Sequence, residues 1–78
     1  MKFLALNEND GVVLKVVHRD NSVLAELKHP PGGQVTLHIF EHPWTKQKAL
    51  RNGAPLGFHP RYFKNRADAQ KFIKDTFK

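Results

Sequence analysis

Residues 34–40, QVTLHIF, show the clearest alternation of apolar and polar side chains in the chain. In an extended strand, Val35, Leu37 and Ile39 point to one side, whereas Thr36 and His38 point to the other. This pattern predicts a β-strand with one face buried in a core and the other in contact with water.

The residues before this strand predict three more strands joined by turns. Residues 3–6 are apolar, residues 12–18 are rich in β-branched side chains, and residues 22–27 follow a tight reversal. Residues 7–11, NENDG, suit a turn because Asn, Asp and Gly tolerate positive φ. Residues 29–33, HPPGG, cannot continue a strand and predict a loop. The four strands are therefore expected to run antiparallel.

Residues 65–78 predict an amphipathic helix. Asn65 is a suitable N-cap, and Asp68 lies near the positive end of the helix dipole. The side chains that would face the protein recur at helical spacing: Ala69, Phe72, Ile73, Thr76 and Phe77. The side chains expected in water are Lys71, Lys74 and Lys78. The Phe72 side needs an apolar surface, which the sheet can provide.

These elements predict an α+β fold. We expect a four-stranded antiparallel β-meander within residues 2–40 and one C-terminal helix packed on one face of the sheet. The length, 78 residues, suits a single domain, 1–78. In residues 12–18, Val13 and Val17 lie opposite the other apolar side chains, so the second face of the sheet needs a cover. Trp44 and Phe58 are the candidates for that cover.

The connecting segment, residues 42–64, leaves two structures open. Residues 45–51 suit a short helix that ends at Asn52-Gly53, where glycine accepts a left-handed conformation. Alternatively, Asn52-Gly53 forms the centre of a type I′ hairpin. Because Pro55 disfavours a central strand, we prefer the short helix followed by an extended segment over residues 58–63.

The positive charge is concentrated in residues 42–67. This stretch contains no Asp or Glu, whereas residues 1–33 carry four cations and four acids. The formal net charge of +6 can therefore be assigned to its six cations: Lys46, Lys48, Arg51, Arg61, Lys64 and Arg66. Aromatic side chains are interleaved with them: Trp44, Phe58, Tyr62 and Phe63. Such clustering is an argument about binding partners and not about fold.

This clustering predicts a small non-enzymatic binding protein. The expected contact residues are Lys46, Lys48, Arg51, Arg61, Tyr62, Lys64 and Arg66. Nucleic acid is the preferred partner, because Lys and Arg bind phosphate backbones regardless of sequence and bases can stack on aromatic rings. The alternative partner is an acidic surface of another protein. A simpler explanation is that the cations only keep the protein soluble.

Neither a metal nor another cofactor is expected, although the chain contains five histidines. His38 and His42 have the spacing of a helical ligand pair, but His38 lies in the alternating strand and no third ligand is fixed nearby. Ser22 is the only serine and sits in a predicted turn. The one enzyme class that stays open is a metal-free ribonuclease, since His, Lys and Arg supply an acid, a base and phosphate-binding cations.

The composition predicts a cytoplasmic protein that does not enter the membrane. The chain has no cysteine, and its initial apolar run stops at Asn7, which is too short for a signal peptide. No stretch reaches the roughly 20 apolar residues of a membrane helix.

Trp44, the only tryptophan, has two possible roles. It can belong to the core or stand free as a stacking platform within the basic stretch. We prefer the core, because large aromatic side chains are usually well buried in small domains.

Overall fold

The computed structural model describes residues 1–6, 11–51 and 60–77, and the side chains of all of these except 48–51. The elements in chain order are β1 Lys2–Ala5, β2 Val12–Val17, β3 Val23–Lys28, β4 Val35–Ile39, α1 Pro43–Arg51, β5 Arg61–Phe63 and α2 Arg66–Thr76. Neither helix in these ranges is long and apolar enough to cross a membrane.

The strands form one antiparallel sheet in which they lie side by side in chain order. The predicted α+β class and the β1 to β4 meander are confirmed. The predicted number of strands is too small, because β5 pairs with the free edge of β4. Tyr62 of β5 lies opposite Thr36, and Arg61 lies opposite Leu37. The sequence predicted that residues 58–63 are extended, but it did not predict that residues 61–63 pair with β4.

The preferred structure of the connecting segment is confirmed where it is described. α1 covers residues 43–51 and so begins two residues before the predicted helical turn. The rival hairpin at Asn52-Gly53 and the predicted cover by Phe58 lie outside the described residues.

Two β-bulges explain why β2 has no clean alternation. Val12 lies opposite Lys28 and Leu14 opposite Leu27, so Val13 is an extra residue in β2. A second irregularity leaves Leu24 as the extra residue of β3. A bulge changes the direction of the side chains around it. Val13 accordingly packs against the core, and Leu24 is buried within it.

α2 and its C-cap residue supply three fully buried side chains to a core shared with the strands: Ala69 and Ile73 from α2, and Phe77 at the C-cap. The strands contribute the predicted buried residues of β4, which are Val35, Leu37 and Ile39. The Asn65 side chain accepts a hydrogen bond of 2.8 Å from the Asp68 N–H, so the predicted N-cap is confirmed.

The aromatic residues of α2 and its C-cap are not equally buried. Phe77 is only 1% exposed, whereas Phe72 is half-buried beside Phe63 of β5. Trp44 is also half-buried, and its ring stacks on Phe77 with 5.6 Å between ring centroids. The preferred role of Trp44 in the core is therefore supported, but its ring stacks on the C-cap residue of α2.

The bulge directs Val13 to the core, so this side chain needs no cover on the second face. Val17, the other residue of that prediction, pairs with Lys2 and is buried outside the core cluster.

The N-terminus of α1 is closed by a reciprocal set of hydrogen bonds. The His42 carbonyl accepts from the Lys46 N–H at 2.9 Å, which makes His42 the N-cap, and Pro43 occupies the first helical position. The hydroxyl of the fully buried Thr45 accepts a hydrogen bond from the His42 N–H at 2.9 Å. It also lies 2.9 Å from the carbonyl oxygens of Phe40 and His42, and it donates its proton to one of these two. This side chain joins the end of β4 to α1.

Replacing Thr45 with Val should lower the free energy of unfolding by about 1–3 kcal/mol. Valine has nearly the same shape as threonine, but it has no hydroxyl to accept the hydrogen bond from the partly buried His42 N–H. Urea unfolding followed by Trp44 fluorescence measures the loss. Thr45→Ser keeps the hydroxyl and loses only the buried methyl group, so it gives the cost of that methyl alone. A Val variant as stable as the wild type would show that these hydrogen bonds do not stabilise the helix start.

Candidate nucleic-acid interface

The β5 to α2 connection brings four of the seven predicted contact residues close together in the chain. Arg61 and Tyr62 belong to β5, Lys64 lies in the turn after it, and Arg66 begins α2. Tyr62, Lys64 and Arg66 are exposed, whereas Arg61 is half-buried. This short segment therefore presents an aromatic ring and two accessible cations.

The side chains of β5 point to opposite sides of the sheet. Arg61 lies opposite Leu37 on the side where the core is, and its guanidinium carbon is 4.8 Å from the centroid of the Phe72 ring. This cation–π contact fixes the charge against α2. Tyr62 lies opposite Thr36 on the other side and is 65% exposed. The predicted site is thus divided between the two sides of β5.

Arg66 links α2 to the loop that precedes β4. Its Nη2 and Nε atoms lie 3.1 and 3.3 Å from His29 Nδ1, to which the guanidinium donates. The partner of Arg66 in this contact is an imidazole and not a carboxylate, so the contact is a hydrogen bond and not an ion pair with an acid. The contact holds the Arg66 charge near the turn that contains Lys64.

The other three predicted cations, Lys46, Lys48 and Arg51, lie on α1. Lys46 is exposed, and its Nζ lies 3.8 Å from an equally exposed Glu41 carboxylate. An exposed pair of this kind is weak and does not keep Lys46 from other anions. Lys48 and Arg51 lie on the same helix, but their side chains are outside the described part of the structure.

A histidine cluster that the sequence did not predict joins the β2–β3 turn to the start of α1. The rings of His18 and His42 have centroids 4.9 Å apart. His42 Nε2 lies 3.2 Å from Asp20 Oδ2, and His18 Nδ1 lies 3.2 Å from Asp20 Oδ1. The spacing along the chain suggested a pair of His38 and His42. It gives no sign that the turn at residue 20 lies beside residue 42 in the folded protein.

Two imidazoles and a carboxylate are ligands that zinc binds, and their ligand atoms lie within 4.8 Å of one another. However, His42 Nδ1 accepts a hydrogen bond of 3.0 Å from the Trp44 N–H. In a neutral ring this places the proton on Nε2, where it is donated to Asp20. In that tautomer the His42 nitrogen that faces Asp20 carries a proton, which a metal would have to displace. The arrangement fits a structural hydrogen-bond cluster better than a metal site.

The surroundings of Asp20 favour its charged form. The backbone N–H of Ser22 donates to Oδ1 at 2.8 Å and is the main cause that lowers the pKa of this carboxyl below its ordinary value. The Ser22 side chain, His42 and His18 lower the pKa further. The turn is tight, and Asn21 has a φ of 71°, which Asn tolerates better than most residues.

The ionised Asp20 carboxyl should therefore stabilise the fold at neutral pH, and this stabilisation should be lost in acid. A carboxyl with a depressed pKa in the folded state stabilises the fold above its unfolded pKa of about 4. This contribution is lost as the pH falls through the folded pKa. We expect Asp20→Asn to melt below the wild type at pH 7 and the difference to shrink toward pH 2. Thermal melts at both pH values measure it, and a constant difference would contradict the assignment.

A comparison of the chain with protein-family models, curated proteins and solved structures finds no match.

Proposed function

We propose that this protein binds nucleic acid without catalysis and that exposed cations of the basic stretch contact the phosphate backbone. The observation that carries the proposal is the concentration of six cations in residues 42–67, where no acid occurs. Of these, Lys46, Lys64 and Arg66 have exposed side chains. Phosphates attract such groups by releasing condensed counterions, with no need for base recognition.

The exposed Tyr62 fits both candidate partners. An acidic protein would use the cations equally well and would bury this ring, which is 65% exposed, as an interface anchor. Unstacked bases have flat faces that pack on such a ring. The acidic protein surface stays the alternative partner.

His42 is a poor candidate for the acid or base that the ribonuclease hypothesis requires. A general acid or base needs a ring nitrogen within hydrogen-bond reach of the substrate. His42 uses both nitrogens internally, one toward the Trp44 N–H and one toward Asp20. These contacts support a structural role for the His42 ring.

Fluorescence anisotropy with labelled oligonucleotides tests the proposal. Single-stranded DNA, single-stranded RNA and a duplex should each bind at low salt, and intact oligonucleotide should be recovered afterwards. Polyglutamate is the control for an acidic polypeptide and should bind more weakly. Binding of polyglutamate but of no nucleic acid would instead support a protein partner. Shortened RNA after incubation would support the ribonuclease.

A further inference from the structure

The sheet has a second surface that the sequence did not predict as a binding site. Because side chains alternate along a strand, those of β4 at Thr36 and His38 point away from the core. The register extends this side across the other strands. We call it the outer face, and the register places these residues on it: Lys2, Leu4, Val12, Lys15, Val17, Val23, Glu26, Lys28, Thr36, His38 and Tyr62.

The outer face contains two rows of neighbouring side chains. One row crosses four strands and consists of Leu4, Lys15, Glu26 and His38. The other row also crosses four strands and consists of Val12, Lys28, Thr36 and Tyr62. Leu4 and Tyr62 are exposed at 42% and 65%, whereas Val12, at the β2 end of the second row, is buried. Lys15, Glu26 and Thr36 are half-buried between them.

The charge of the outer face suits an anion. It holds three lysines, at positions 2, 15 and 28, and one acid, Glu26, so the formal balance is positive by two. Tyr62 lies at one end of the row that contains Lys28, and the half-buried Phe40 ring packs on His38 with 4.6 Å between ring centroids. A ligand that fits must combine negative charge with a flat apolar surface.

The spacing in this row fits a nucleic-acid strand. Neighbouring strands of a sheet are about 4.8 Å apart, so Lys28 and Tyr62, which are two strands apart, are separated by about 10 Å. Each strand of duplex DNA advances about 3.4 Å per phosphate and an unstacked strand advances more, so this distance corresponds to at most about three nucleotides. One strand can place a base on Tyr62 and a phosphate at Lys28 together.

We propose that the outer face binds single-stranded nucleic acid, with a base stacked on Tyr62 and phosphates at Lys28 and Lys15. This rests on the proposed function and adds a preference for single strands. The bases of a duplex are paired and stacked on each other, so they cannot lie on Tyr62 without being pulled out of the helix. Duplex can use only the cations. The ring therefore favours the single strand.

Two pairs of variants test this inference by anisotropy. Tyr62→Ala should weaken binding of a single-stranded oligonucleotide by roughly 5- to 100-fold and leave duplex binding unchanged, while Tyr62→Phe keeps the stacking surface and the affinity. Lys28→Glu should weaken single-strand binding more than Lys71→Glu, which changes the charge equally on the exposed side of α2. Melting temperatures should stay close to the wild type, because Tyr62 and Lys28 are exposed.

The outcomes separate this inference from the proposed function. If Tyr62→Ala binds the single strand as tightly as wild type, the outer face is not the site, although phosphate binding by the basic stretch stands. If Tyr62→Ala loses the same affinity for single strand and for duplex, the stacking role of Tyr62 is overturned, although phosphate binding by the basic stretch again stands. If the wild type binds neither form at low salt, the proposed function fails and this inference fails with it.

Discussion

Replacing Phe77 with Ala should leave the protein largely unfolded at room temperature. Phe77 is 1% exposed and is the largest of the fully buried side chains in the described residues. Deleting a buried Phe side chain costs about 3–5 kcal/mol, because apolar surface is lost and a cavity remains. A domain of this size has only roughly 3–5 kcal/mol of stability from its core. The loss is therefore comparable to the whole stability.

Circular dichroism and Trp44 emission measure this effect together. The Trp44 ring stacks on Phe77, so its emission should shift to the red when Phe77 is removed. Phe72→Ala is the matched control, because Phe72 is half-buried and the change should cost only about 1–2 kcal/mol. Two results would contradict the described core. One is a Phe77→Ala variant with a melting temperature near that of the wild type, and the other is a Phe72→Ala variant that melts at a lower temperature than Phe77→Ala.

Reversing the charges of Lys64 and Arg66 should weaken nucleic-acid binding on the order of a hundredfold. Both side chains are exposed next to Tyr62, and hydrogen bonds from cations to phosphates are among the stronger ones. The variant is Lys64→Glu with Arg66→Glu. Anisotropy at constant salt gives its affinity. Its melting temperature must also be measured, because Arg66 donates to His29.

The matched control for this pair is Lys71→Glu with Lys74→Glu. These lysines are exposed on α2, and the net charge changes by the same amount. Loss of general attraction should weaken binding only a few-fold. Equal losses from the two pairs would mean that diffuse charge attracts the ligand and that residues 64–66 do not form a site.

The parts of the fold that local patterns specify could be predicted from the sequence. The strict alternation in residues 34–40 specified both the strand and its buried side. Asn65 followed by Asp68 specified the start of α2 through a hydrogen bond between residues three apart. These signals involve neighbours in the chain, so no tertiary information was needed.

Features that depend on distant pairing could not be predicted. β5 has three residues, too few to show a period, and its strand character comes from its pairing with β4. The bulge at Val13 leaves no mark in composition and reverses the interpretation of its side chain. Phe72 and Phe77 fit the helical pattern equally well, and only the tertiary packing shows that Phe77 is the more buried.

The candidate site was predicted in composition but not in arrangement. The cations of residues 61–66 are adjacent in sequence, yet the side of the sheet that each faces depends on the register with β4. That register places Arg61 against Phe72 and directs Tyr62 away from the core. The lysines of the outer face were missed because each lies on a different strand, at positions 2, 15 and 28.

The salt dependence of single-strand binding tests the central claim most directly. The logarithm of the association constant should fall linearly with the logarithm of salt concentration, by about 0.7 for each phosphate contact. Six contacts would give a slope of about −4, and fewer contacts a smaller one. Lys64→Ala with Arg66→Ala should reduce the steepness by about 1.4, since it removes two contacts without adding repulsion. An affinity that does not change with salt, or a variant with the wild-type slope, would contradict phosphate binding by the basic stretch.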